Sequence, residues 1–308
     1  MKNGLLHHRS TLEKVIYFIG ICLISKLIFT LLSFSLCSFI FNVDLVNINL
    51  NEIVYDINYI RAYKLATVLD QVGTFLIPVL FFAKLISKEP KKIWFFNKIE
   101  SHYLTLIIPI FFIIITIGHV LLLINHQIDL SFLSAELKKT INENQNNIDK
   151  IHDAFIGQSP RSYIVNIFIM AIVPAFCEEL VFRGLLQQLF CKWTKNMHIG
   201  IALSTLIFAL LHFQFYNLFA LLFIGFTFGY IAFLFGTIWV TIILHLMFNL
   251  FSLTNVYLVK NEMISDNSWD NSTWIFLSVA TTLSLGYCYK MLKRENKLAE
   301  SMKNIEEL

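Results

Sequence analysis

Charge is scarce in this sequence of 308 residues: Asp, Glu, Lys and Arg make up 15%, against about a quarter in an ordinary soluble domain. A soluble globule of this length needs a polar surface that so few charges cannot supply. Lys and Arg (24) barely outnumber Asp and Glu (21), and a net charge of +3 gives no grip on nucleic acid or another polyanion. Gly (11) and Pro (5) are too few for collagen. Cysteine is sparse too. Cys22, Cys37, Cys177, Cys191 and Cys288 lie in or beside apolar runs with no C-x-x-C spacing. They read as membrane-buried thiols, not as a disulfide or metal framework.

What fills the sequence instead is apolar. Hydrophobic residues reach 56%, Phe alone numbers 30, and mean hydropathy is +0.66. That excludes disorder and predicts an all-α, polytopic membrane protein. At about 20 residues per crossing, eight apolar segments stand out: 15–41, 66–86, 103–124, 163–190, 199–212, 218–235, 237–253 and 273–289. The first is too long for a signal-peptide core and lacks a small-x-small cleavage site, so it reads as a retained span.

Lys and Arg on alternate sides of these spans are unequal. One side collects fifteen, from the N-terminus (Lys2, Arg9, Lys14), the 84–98 loop, Lys192, Lys195 and the tail beyond 289; the other collects seven. The excess predicts both termini in the cytoplasm, in agreement with an even number of spans. The organisation reads as three N-terminal spans (1–130), a polar outer connection (131–162) with a short surface helix or a mobile stretch, a helical core (163–255), and a last span with a charged cytoplasmic tail (256–308). No internal repeat is visible, which speaks against an inverted-repeat transporter. Lys26, Asp70 and His119 are the polar groups inside the first spans and read as snorkelling or interhelical contacts.

Ionisable groups inside spans cost several kcal/mol each and mark function by default. The fourth segment carries Glu178, Glu179 and Arg183 within an apolar run. Glu179 and Arg183 stand four apart, so they share a helix face and can pair. Glu178 points about 100° away around the helix, aimed elsewhere. The fifth segment ends Phe208-Ala-Leu-Leu-His212, and the seventh places His245 and Asn249 four apart on one face. At about 1.5 Å per residue, Glu178 and His212 fall at similar depth from the cytoplasmic ends of their helices. His245 lies so near the break at Gly236 that its helix must start deeper or tilt.

A carboxylate in an apolar site becomes a better proton acceptor. Imidazole can share that proton, orient a water or bind a metal, and an Asn amide or a second His can donate to an oxyanion. The sequence has no Ser-x-x-Lys pair, no Gly-x-Ser-x-Gly elbow and no H-E-x-x-H helix. Water activation by Glu and His, or by a metal held on the same side chains, remains. Peptide-bond hydrolysis in or beside the membrane is the leading expectation. The alternative is a non-catalytic membrane protein (a scaffold, immunity factor or transporter) that uses the polar cluster for binding. The fixed offset of Asn249 from His245 suits a site that positions atoms more than a proton relay.

Glu178-Glu179-x-x-x-Arg183, Phe208-x-x-x-His212 and His245-x-x-x-Asn249 resemble, complete and in order, the three signature motifs of the CAAX-processing and bacteriocin-processing (CPBP, or Abi) intramembrane proteases. The stretch from Gly225 to Gly236 and Gly-Thr-Ile-Trp before the third motif resemble the family's bacterial members. The likeness covers about residues 163–253. It implies Glu178 as general base, His212 as its helper on the water, and His245 and Asn249 at the oxyanion. Glu179 and Arg183 would keep the site's shape, with Phe208 supporting. The family has been described both as metalloproteases and as glutamate-dependent proteases. The resemblance therefore implies either no cofactor or one divalent metal, zinc foremost, on Glu178, His212 and His245. The implied partners are the bilayer and a membrane-associated protein or peptide, at a bacterial cytoplasmic membrane. Gly225-Phe-Thr-Phe-Gly229 is a G-x-x-x-G stretch, read as close packing around the site. Gln187 and Gln188 read as a solvated helix end.

Overall fold

The structure, a computed structural model, describes residues 4–45, 56–87, 96–157, 159–265 and 271–295. Among these the regular elements are helices, and no strand is present. Six helices are long and apolar enough to cross a membrane. They are α1 (Thr11–Phe41), α2 (Ile57–Ile86), α3 (Ser101–His126), α5 (Pro160–Thr194), α7 (Leu218–Phe235) and α8 (Trp239–Lys260). Two more, α6 (Met197–Leu211) and the apolar part of α9 (Asn271–Glu295), are shorter. Each of the eight expected apolar segments thus lies on a helix, and the protein is an integral, multi-pass membrane protein. Lys2, Lys88, Lys91, Lys92, Lys297 and Lys303, which entered the orientation count, lie outside the described residues, as does the tail after Glu295.

The polar connection holds a helix of 21 residues, α4 (Ala135–Phe155), rather than a short one. Ser134 caps its first turn by accepting from the Leu137 amide. At its other end the Phe155 carbonyl, which a helix leaves without an internal donor, accepts from Lys64 Nζ and Asn166 Nδ2, both at 2.7 Å.

Two helices contain wide π turns. In α2 the turn is Val72–Leu76; in α5 there are two, Ile167–Ile172 and Phe182–Leu186. Pro78 follows the first closely and Pro174 the second. A proline lacks the amide for the usual bond and clashes with the carbonyl four residues back. A wide turn just ahead relieves both conflicts and lets an apolar helix run through.

The described chain forms two compact units, each assembled from distant stretches of sequence. The first comprises residues 1–90, 134–181 and 249–263. Its α1 and α2 pack through Phe18 on Phe82 and Phe34 on Tyr63, around a core of Cys37, Leu45, Ala62 and Ala66. Lys26 pairs with Asp70 at 2.6 Å, so two of the expected intramembrane polar groups do join helices. The Tyr163 ring lies 4.5 Å from that of Tyr257, and its hydroxyl bonds that of Thr254 at 2.7 Å.

The second unit comprises residues 91–133, 182–248 and 264–308. Its core joins α3, α7 and α8, with Tyr103 stacked on Phe235 at 4.1 Å and Ile114, Phe228 and Leu244 fully buried. Buried Asn125, near the end of α3, uses both halves of its amide at the start of α7. It donates to the Phe215 carbonyl at 3.0 Å and accepts from the Phe219 amide at 2.9 Å. All five cysteines are free thiols, four of them buried.

Candidate active site

In the first unit the carboxylates sit on the nine residues of α5 between its two π turns, Val173–Val181. Glu179 is fully buried and Glu178 nearly so. The π turn of α2 packs against this stretch, and the residue just before it reaches the carboxylate: Gln71 Nε2 donates to Glu178 Oε1 at 2.8 Å. The amide nitrogen is the donor and the carboxyl oxygen the acceptor. Asn249, half-buried on α8, belongs to the same unit.

The second unit gathers the other motif side chains around one ring. Phe208, buried on α6, meets the rings of His212 at 4.6 Å and His245 at 6.5 Å. The Arg183 guanidinium lies 4.7 Å from the Phe208 centroid and 5.3 Å from that of Phe228. His245 also packs on Phe228, at 5.6 Å. Phe228 stands seven residues before the end of α7 and His245 six after the start of α8, about 10 Å and 9 Å by helical rise. The two antiparallel helices therefore bring them level.

The geometry fixes the His212 tautomer. Its Nδ1 lies 2.7 Å from the Phe208 carbonyl, and a carbonyl only accepts. Nδ1 therefore carries a hydrogen, and in the neutral ring the lone pair is on Nε2. The residue caps α6, and the next one, Phe213, takes a left-handed φ of 51° that ends the helix.

Arg183 and Gln187, one turn apart on α5, donate to the carbonyls of Gly225 and Gly229 at 3.2 and 2.9 Å. The G-x-x-x-G stretch thus serves packing inside the chain, as expected. A Cβ on Gly225 would stand 2.6 Å from Thr205 Cγ2, and one on Gly229 2.7 Å from Ile201 Cγ2. Gln187 corrects the expectation of a solvated helix end: it is buried, because its amide satisfies a carbonyl that glycine leaves bare. Gln188 folds back on the Gly184 carbonyl at 2.7 Å.

Among the described residues, no group of three or more His, Cys, Asp or Glu is gathered as a metal ion would require. Residues 160–251 match the family described as Type II CAAX prenyl endopeptidase Rce1-like. The match supports a relation of that segment to the CPBP family. No curated protein and no solved structure matches the chain. The matched segment contains all seven motif residues, and the family it matches suggests a protease. Gln71, Gln187 and Phe228 were not singled out by motif. Of these, only Gln187 carries a signal in sequence: a buried-face position one turn beyond Arg183.

Proposed function

We propose that the protein is an intramembrane endopeptidase of the CAAX-processing type, hydrolysing a peptide bond of a membrane-associated protein or peptide. The observation that carries this reading is that the family match, 160–251, takes in Glu178, Glu179, Arg183, Phe208, His212, His245 and Asn249 together. In this reading Glu178 takes a proton from a water molecule, and the Nε2 lone pair of His212 helps orient and polarise that water. The hydroxide attacks the scissile carbonyl carbon. His245 and Asn249 donate to the oxyanion that forms. Collapse of the intermediate breaks the C–N bond, and Glu178 returns its proton to the leaving amine. Glu179 and Arg183 hold the site's shape. The excess of Lys and Arg on one side supports both termini in the cytoplasm, and the likeness of the 225–239 stretch to bacterial members of the family supports a bacterial inner membrane.

Comparative proteomics of wild-type and Glu178→Gln cells tests the reading. The expected result is an uncleaved membrane peptide that accumulates in the variant although the protein is still inserted at its normal level. An unchanged set of membrane peptides in cells carrying Glu178→Gln and His212→Ala together would sink it.

A further inference from the structure

Within the first unit, the surroundings of the proposed base Glu178 contain a side chain that the matched segment does not include. Gln71 lies 107 residues upstream of Glu178 and donates to its Oε1 at 2.8 Å. We propose that Gln71 is a positioning residue for Glu178, setting the direction of the carboxylate so that Oε2 meets the water. This inference rests on the proteolytic reading and adds a residue to its machinery.

The carboxylate is buried, and a buried carboxylate is held by the donors around it. Gln71 can hold it because Gln71 is itself fixed. Its neighbours on α2 are tied to α1 at three points: Asp70 accepts from Lys26 Nζ at 2.6 Å and bonds the Thr30 hydroxyl, and Ser25 Oγ donates to the Gly73 carbonyl at 2.6 Å. Gly73 has no room for a Cβ beside the Phe29 ring. The wide turn Val72–Leu76 begins at the very next residue and packs on the stretch that carries Glu178. Wide turns of this kind recur at functional sites. A helix pair whose polar residues anchor one amide, and whose amide grips one carboxylate, is built to hold that carboxylate still. Small misplacements of a reacting group cost up to about 100-fold in rate, so the alignment is worth such a scaffold.

The test uses the full-length protein in detergent and a synthetic copy of the membrane peptide that Glu178→Gln cells accumulate. Gln71→Met keeps the length and removes the donor. Gln71→Asn keeps a donor but falls one methylene short. Gln71→His returns an N–H at nearly the reach of the glutamine amide. The expected result is that kcat falls about 10-fold or more in the Met and Asn variants, with KM within about twofold of wild type, and that the His variant recovers most of it. A purely structural role would lower yield and melting temperature without separating His from Met. Turnover at the wild-type rate in both Met and Asn variants, or a rise in KM alone, overturns the assignment while the protease stands. If no peptide accumulates even in cells carrying Glu178→Gln and His212→Ala together, the proteolytic reading fails, and this inference goes with it.

Discussion

Phe208 owes its place in the motif to its face. A ring surface is electron-rich, and the buried Arg183 guanidinium lies against two such surfaces, Phe208 and Phe228, while donating to the Gly225 carbonyl. Both imidazoles pack on Phe208, and His245 on Phe228 as well, so Arg183 and both histidines are indexed against the Phe208 ring. Arginine is planar and weakly hydrated; lysine is a compact, strongly hydrated point charge. Arg183→Lys should therefore lower stability by about 1–3 kcal/mol even though the charge is kept, and cleavage should drop with it. The melting temperature in detergent checks this, and a wild-type value would refute the role given to the rings. Charged side chains inside an apolar run are costly enough to be noticed in a bare sequence, which is why Glu178, Glu179, Arg183 and the two histidines were legible there. Gln71 was not. Its type is unremarkable near a helix middle, and no periodicity links residue 71 to residue 178 across the intervening chain.

At the scale of helices, the close fit of α6 to α7 depends on two glycines whose neighbours cannot yield. Thr205 and Ile201 are β-branched and have little χ1 freedom in a helix, and their methyls occupy the space a Cβ would need at Gly225 and Gly229. Forcing a side chain in pushes α7 away and draws the Gly225 and Gly229 carbonyls off Arg183 and Gln187. Overpacking of this sort costs about 1–3 kcal/mol, so Gly225→Ala should already lower the melting temperature, and Gly225→Leu should remove activity. At Gly20 on α1 a Cβ would meet nothing within 4 Å, so Gly20→Ala should leave both unchanged. Equal effects at the two sites would refute the packing role. The G-x-x-x-G spacing revealed the close approach but could not say which helix fills it. The wide turns were invisible for a different reason: the prolines that demand them looked like ordinary punctuation in an apolar run. In α6, and in the apolar part of α9, the apolar helix falls short of crossing length, which a count of apolar residues in the sequence does not separate from the six longer spans.

At the scale of the molecule, the family match covers less than a third of the chain, and the structure indicates that this part does not stand alone. Residues before 160 complete it in both units. In the first, Lys64 and Phe155 anchor the region around Asn166, and Gln71 reaches Glu178. In the second, Asn125 satisfies the start of α7 with a donor and an acceptor, and Tyr103 stacks on Phe235 at its end. Both units also draw on sequence from either side of residue 134, so neither is a continuous piece that could be cut out. Sequence patterning separated N-terminal spans from a motif-bearing core because motifs are local, whereas the supporting contacts join residues 90 or more positions apart. A polypeptide of residues 160–251 should consequently insert but fail to give a monodisperse, cooperatively melting species in detergent, and should cleave nothing, while the full chain does both. Asn125→Leu in the full chain tests the same dependence at one point. It strips the part-buried Phe215 carbonyl and Phe219 amide of their partner, at about 1 kcal/mol, and should lower the melting temperature although the matched segment is untouched. A folded, active 160–251 fragment would show that the outer helices are ornament and would remove the structural reason for assigning Gln71 a role.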